Sequence, residues 1–324
     1  MGFRRYILIR LLGTVTTFFV VATIVFFTFR QLGDPTVLFM NPGMGPEQTQ
    51  RVRESFGLTD PLYIQYLKYL VNIVTLNFGN SFFYAEPVAP IVLERLINSL
   101  FLTLPAILIA YIGGILGGVV MAWRRGDSVE SAGLVAALVF RSSPRFWVGL
   151  LLLYVFSFTL DWFPFGGIIS AEIDYATHLG LMTELDFYRH LVLPIISMAL
   201  YLMGLPLLLM RTSMLEVIHA DFVDVCRAKG MTETNLMYRH VARNALLPVV
   251  TAFAVAIAFS FGGNVLVETV FSYPGIGRLM VNSAFRNDYP TAQFAFLLMA
   301  AAVLIMNLVA DIVYGYLDPR VSYD

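Results

Sequence analysis

Two arginines, Arg141 and Arg145, flank Pro144 half-way along an apolar stretch of the chain. A guanidinium group at the centre of a membrane helix costs roughly 2.5–3.5 kcal/mol on insertion scales, so it must meet water or a partner. One reading is a water-filled path in which the arginines contact a substrate carboxylate. The other is a structural pair with Asp311, with Glu268 or with another subunit, which is the commoner fate of intramembrane charge. Asn264 and Glu268 are four residues apart near the outer end of one apolar segment, and Asn307 and Asp311 repeat that spacing near the inner end of another. Each pair shares a helix face. Such carboxylates could relay protons in an ion-coupled transporter, although helix-to-helix hydrogen bonds are their plainer use.

Hydrolytic chemistry finds little support. The four histidines, His178, His190, His219 and His240, form no ligand-spaced cluster, and no His-Glu-x-x-His pattern occurs. A single cysteine, Cys226, excludes both a disulfide framework and a Cys-rich metal site. No Gly-x-x-x-x-Gly-Lys-Ser/Thr sequence is present, and the only lysines are Lys68 and Lys229. A phosphate-cradling loop needs that lysine beside its backbone amides. The chain is therefore expected to bind no cofactor, no metal and no nucleotide, and to draw its energy from a partner or from an ion gradient.

The elements that must position these residues follow from composition. Of 324 residues, 58% are hydrophobic and 13% charged. Soluble domains carry roughly 25% charged residues, so lipid must be the solvent for much of this chain. A helix needs about 20 mostly apolar residues to cross the hydrocarbon. Six such segments run near 8–29, 98–122, 131–160, 191–210, 246–269 and 292–315. The third is interrupted by Arg141-Ser-Ser-Pro-Arg145 and reads as one kinked helix. Arg4, Arg5 and Arg10 at the start of the first span place the N-terminus in the cytoplasm, and six spans return the C-terminus to the same side. Arg124, Arg125, Arg211, Arg227, Lys229, Arg239 and Arg243 then fall inside, while the acidic 161–190 loop falls outside. The expected fold class is an all-α integral membrane protein with six transmembrane helices, located in the cell membrane. Its net charge of −1 suggests no nucleic-acid partner. Gly113, Gly114, Gly117 and Gly118 make two overlapping small-xxx-small pairs, which suit close helix packing.

Three regions are expected. Residues 1–30 hold the N-terminus and first span, 31–97 form a small helical extracytoplasmic cap, and 98–324 form a five-helix core. In the cap, Pro46 and Glu47 start a helix that ends at Gly57. Asp60 and Pro61 start a second, running to about Thr75, with Ile64, Leu67, Val71 and Val74 on one apolar face. In the core, a cytoplasmic helical hairpin is expected at about 212–245. Ser213 and Glu216 read as a capping box for its first helix, with Met214, Ile218, Phe222 and Val225 on one face. Gly230 ends that helix in a left-handed cap. Thr232 can cap a second helix that carries Leu236 and Val241 toward Pro248. Such a knob either packs on its own bundle or inserts into another protein.

Asp224-Val-Cys-Arg-Ala-Lys-Gly230, followed by Arg239-His-Val-Ala-Arg-Asn-Ala-Leu-Leu-Pro248, resembles the loop of binding-protein-dependent ABC importer permeases, more narrowly the dipeptide/oligopeptide/nickel group. The likeness extends in order through Gly33-Asp-Pro35, Gly57-Leu-Thr-Asp-Pro61, Asn77-Phe-Gly-Asn-Ser81, Pro87-Val88 and Ser143-Pro-Arg-Phe-Trp147. It continues through Glu268-Thr-Val-Phe-Ser-Tyr-Pro-Gly-Ile-Gly-Arg-Leu279, Asp288-Tyr-Pro290 and Asp318-Pro-Arg320. The family's loop usually begins Glu-Ala-Ala where this chain has Asp224-Val225-Cys226. The resemblance implies an ATPase-contacting loop at Asp224, Arg227, Ala228, Lys229, Gly230 and Met231, with His240, Arg243 and Asn244 behind it. It also implies four partners besides the bilayer: a second homologous permease, two ATPase subunits that hold ATP and Mg, and an extracytoplasmic substrate-binding protein. The substrates implied are di- and oligopeptides, with nickel chelates, glutathione or oligosaccharides as alternatives. No family role transfers to Arg141 or Arg145.

Overall fold

A computed structural model describes residues 3–31, 47, 50–51, 54, 58–173 and 178–317. Among them no strand occurs beyond a single Asn80–Pro87 bridge. In chain order the helices are α1 (Phe3–Gln31), α2 (Leu62–Val74), α3 (Val88–Trp123), α4 (Ser128–Ser142) and α5 (Arg145–Leu152), the last continued by a π-helical stretch, Leu153–Thr159. Then come α6 (His178–Thr183), α7 (Leu185–Val217), α8 (Asp221–Ala228) and α9 (Glu233–Asn235), which runs through a π-helical stretch, Leu236–Val241, into α10 (Ala242–Ala245). The last four are α11 (Leu247–Ser260), α12 (Val265–Val270), α13 (Ile276–Phe285) and α14 (Tyr289–Leu317).

The protein is an all-helical membrane protein. Helices α1, α3, α7 and α14 are each long and apolar enough to cross a bilayer. Two bent pairs pass the same test, so the described residues hold six spans if each pair counts as one. The third expected span is not one kinked helix: α4 and α5 meet at 102°. Pro144 disfavours a helical conformation for Ser143, whose ψ of 134° is extended, and α5 starts afresh after it. The fifth expected span, 246–269, also differs. Helix α11 stops at Ser260, Gly263 takes a φ of +66°, and α12 begins only at Val265.

The expected capping box at Ser213 does not form. Helix α7 runs unbroken to Val217, so Ser213 and Glu216 lie inside it, and Ser213 is buried. Burial of Met210 and Met214 in one apolar cluster holds that turn helical, because unwinding it would expose both. The second cap helix starts one residue later than expected, at Leu62 with Pro61 as its N-cap, and Thr75 closes it. Asp60 instead accepts a hydrogen bond from Lys68 Nζ at 2.6 Å. On its apolar face Leu67, Val71 and Val74 are exposed. The expected helix from Pro46 to Gly57, and the Gly33-Asp-Pro35 and Asp318-Pro-Arg320 segments, lie outside the described residues.

The chain divides into two compact units: Met1–Ile97 with Gly275–Asp324, and Asn98–Pro274. In the first, α1 packs along α14, and Arg10 Nη1 lies 2.8 Å from Asp311 Oδ2. The Asp288 carboxylate, fully buried just before α14, accepts from Ser81 Oγ at 2.5 Å and from the Phe82 amide at 3.0 Å. Two of the short segments that carried the resemblance, 77–81 and 288–290, are thereby joined. The Ser81 hydroxyl in turn accepts from the Tyr84 amide at 2.9 Å, which fixes the turn.

In the second unit, residues 98–123 of α3 lie against α7 through the four glycines. A Cβ on Gly118 would fall 2.6 Å from the Leu207 carbonyl oxygen, and one on Gly114 would fall 2.9 Å from the Leu207 nitrogen. The helices approach that closely because there is no side chain between them. A part-buried ion pair ties α4 to α7 as well. Arg211 Nε donates to Glu130 Oε1 at 2.8 Å, Arg211 Nη2 reaches the same oxygen, and the Gly126 amide donates to Glu130 Oε2 at 2.7 Å. Glu130 is 7% exposed, so removing one partner strands the other charge. Arg211→Ala is expected to lower the melting temperature of the detergent-solubilised protein, because Glu130 is then left with the Gly126 amide alone. The double variant Glu130→Ala/Arg211→Ala is expected to lose less than the two single losses added together. Thermal unfolding of the three variants measures this, and equal stability of Arg211→Ala and wild type would contradict it.

Candidate functional site

The second unit contains a cavity of about 390 Å³. Arg141 from the end of α4, Arg145 from the first turn of α5, Tyr201 and Asn264 supply polar groups, and its other walls are largely aliphatic. The sharp turn at Pro144 sets both arginines here. Residues four apart on one helix would share a face, but these belong to two helices at 102°, so both reach one space through the break. On α7, Gly204 leaves room for α4: a Cβ there would lie 3.2 Å from Arg141 Cβ and 3.3 Å from the Ala137 carbonyl oxygen. The Arg145 guanidinium carbon sits 4.0 Å from the centre of the Tyr201 ring, a cation–π contact. Nothing in the sequence singled out Tyr201, which stands among apolar residues of a span.

Of the expected partners, Glu268 in the same unit pairs with neither arginine. Asp311 is paired with Arg10 in the other unit. Glu268 is fully buried and accepts from Ser99 Oγ at 2.7 Å and from the Asn264 amide at 3.1 Å. Among the described residues neither Arg141 nor Arg145 forms an ion pair. Glu268 thereby links α3 to the start of α12. Asn264 is shared, its backbone satisfying Glu268 and its residue lining the cavity. Asn307 is half-buried in α14 of the first unit.

The segment after Glu268 is held by Asn98. Its Nδ2 donates to the Pro274 carbonyl at 3.0 Å, and Tyr273 OH donates to the Asn98 carbonyl at 2.9 Å. Gly166 packs so closely that a Cβ would fall 2.3 Å from the Phe271 carbonyl oxygen. Sequence reasoning passed over Asn98, whose only signal is a polar residue at the edge of an apolar run.

The hairpin is built differently. Helix α8 ends in a Schellman motif: the Gly230 amide donates to the Arg227 carbonyl at 2.9 Å and the Met231 amide to the Cys226 carbonyl at 3.3 Å. Gly230 has a φ of +75°, as its glycine identity predicted. Asp224, Arg227, Ala228, Lys229 and Gly230 are exposed, and Met231 is half-buried. Arg227 braces the turn by bridging Asp224 at 3.7 Å and Glu233 at 3.3 Å. Behind the tip, Arg243 and Asn244 are exposed, His240 is half-buried, and Asn244 Nδ2 donates to the His240 carbonyl at 2.8 Å. The base is fixed in apolar contacts. Val223, Leu236 and Val241 are fully buried in a cluster with Met210 and Met214 of α7 and with Val119 and Ala122 of α3. Cys226 and Phe222 pack against that cluster, whereas Val225 points out, 52% exposed.

Apolar spans that enclose a cavity holding two arginines, together with a hairpin exposed at its tip, are the features of a membrane transport component. The chain belongs to the family described as binding-protein-dependent transport system inner membrane component, whose model matches residues 114–323. The corresponding N-terminal family model, described as binding-protein-dependent transport system membrane component, N-terminal, matches residues 3–103. The oligopeptide transport system permease protein AppB of Bacillus subtilis (strain 168) is 37% identical over 292 residues, covering 90% of each chain. The di/tripeptide transport system permease protein DppB of Pseudomonas aeruginosa (strain UCBPP-PA14) is 35% identical over 322 residues, covering 95% of this chain and 96% of its own. The glutathione transport system permease protein GsiC of Escherichia coli (strain K12) is 33% identical over 320 residues, covering 98% and 99%. This chain is accordingly a permease subunit of an ABC importer, a multi-pass protein of the cell membrane. It is a transport component rather than an enzyme, and it works with an ATPase and a substrate-binding protein.

Proposed function

We propose that the substrates are di- and oligopeptides, and that the chain forms half of their translocation path together with a second, homologous permease. Two ATPase subunits holding ATP and Mg complete the importer, with an extracytoplasmic binding protein delivering substrate. The hairpin tip at Asp224–Met231 is the ATPase contact, backed by His240, Arg243 and Asn244. The observation that carries this reading is the division of the hairpin into an exposed tip and a base buried among α3 and α7. A push on such a tip moves two spans as a body, which is what alternating access requires. Peptide substrates are supported by two relatives named for oligopeptides and for di- and tripeptides. The third is named for glutathione, itself a short peptide.

Ion coupling through Asp311 and Glu268 has less support, since Asp311 is engaged with Arg10 and Glu268 with Ser99 and Asn264. Gentle purification of the chain from its native membrane, with identification of the proteins that accompany it, tests the assembly. An ATPase and a second permease are the expected companions. Recovery of the chain alone, still transporting in vesicles without ATP, would overturn the proposal.

A further inference from the structure

We infer that the cavity walled by α3, α7 and α11, into which the α4–α5 break brings Arg141 and Arg145, is a recognition site for a carboxylate of the transported molecule, with those two arginines as its cationic contacts. The inference deepens the peptide-importer reading and rests on it. A guanidinium stays charged at every physiological pH, so in a low-dielectric setting it needs an anion or water. Two stand together here, and neither forms an ion pair among the described residues. Glu268 of the same unit is directed to Ser99 and the Asn264 amide. Tyr201 lies against Arg145, but a guanidinium has five N–H donors and one aromatic neighbour leaves most of them for another acceptor. A carboxylate is the acceptor whose geometry that fork matches.

The size of the site agrees. A cavity of about 390 Å³ falls in the range of small-molecule pockets, roughly 300–1,000 Å³. Every linear peptide with a free end carries a C-terminal carboxylate, whatever its side chains. A path that reads this group can hold many sequences in one orientation, while aliphatic walls such as Leu202, Val255 and Ala256 tolerate varied side chains. The two positive charges also repel a cationic cargo, so the site selects by charge as well as by fit. The rival occupant is an acidic residue of the second permease, which would use the same donors for assembly.

Uptake by proteoliposomes containing the complete importer separates these. The probes are trialanine and its C-terminal amide, each at a concentration that saturates the binding protein, and the readout is the ratio of their uptake rates. Wild type is expected to favour the free acid. In Arg141→Gln and in Arg145→Gln the acid-to-amide ratio is expected to fall about tenfold, the size of a lost charge-assisted hydrogen bond. Arg145→Lys, which keeps the charge and loses the fork, is expected to retain an intermediate ratio and serves if a glutamine variant fails to assemble. An unchanged ratio, whether both peptides slow equally or neither slows, would overturn the carboxylate site and leave the importer reading standing. Absence of wild-type uptake of either peptide would instead sink the peptide reading, and this site with it.

Discussion

Gly118→Leu is expected to reduce the yield of folded, detergent-extractable protein at least tenfold. A side chain there has nowhere to go. Its Cβ would stand 2.6 Å from the Leu207 carbonyl oxygen, 2.7 Å from Met210 Cβ and 3.1 Å from the Arg211 nitrogen. Two of those three atoms are backbone of α7, so relief requires separating the helices. Overpacking of a tight interface commonly costs about 1–3 kcal/mol, and a clash with backbone sits at or beyond the top of that range. Separation would also disturb Arg211, whose bond to Glu130 lies one residue beyond Met210. Two controls bound the effect. Gly117→Ala meets the flexible Leu207 Cδ1 at 3.3 Å and is expected to be nearly neutral, and Gly13→Leu meets nothing within 4 Å. Size-exclusion profiles of the three variants make the comparison. A normal monodisperse peak for Gly118→Leu would contradict the close α3–α7 contact.

Gly230→Val is expected to leave the spans folded and to reduce peptide uptake per ATP hydrolysed by tenfold or more. Its backbone has a φ of +75°, where a β-branched residue is strained by roughly 1–2 kcal/mol. No atom lies within 4 Å of a Cβ at this position, so the penalty is one of backbone conformation rather than of packing. The strain falls on the Schellman turn and reorients Lys229 and Met231, while the base, sealed by Val223, Leu236 and Val241, stays in place. Gly230→Asn, which tolerates the left-handed region, is expected to restore most of the coupling. Comparison of ATP hydrolysis with uptake in the same vesicles checks this. Normal uptake by Gly230→Val would exclude the turn from a coupling role.

Features governed by local rules were legible in the residues. Gly230 sits in the left-handed cap that its type and position required, and the glycines of α3 pack a neighbouring helix as their spacing suggested. Pro144 broke its helix, but the residues alone could not give the angle: a proline frees the backbone and tertiary contacts decide how far it bends. The result, 102°, is what brings Arg141 and Arg145 to a single cavity. The partners of charged groups were the least legible. Glu268 found Ser99, 169 residues away, and Arg211 found Glu130, 81 residues away. No local pattern specifies such pairs, because they depend on helix rotations set by the whole unit. Ser213 carried a capping-box pattern that lost to the burial of Met210 and Met214, a local signal overridden by packing.

The central claim is that this chain moves peptides inward under the control of ATP hydrolysed by its partners. Proteoliposomes containing the purified complex and a saturating binding protein test it, with radiolabelled tripeptide outside and ATP supplied to the ATPase side. Uptake that requires ATP, stops when a non-hydrolysable analogue replaces it and persists when ionophores collapse the proton and sodium gradients is the expected result. Uptake that continues without ATP and disappears with the ionophores would contradict the account.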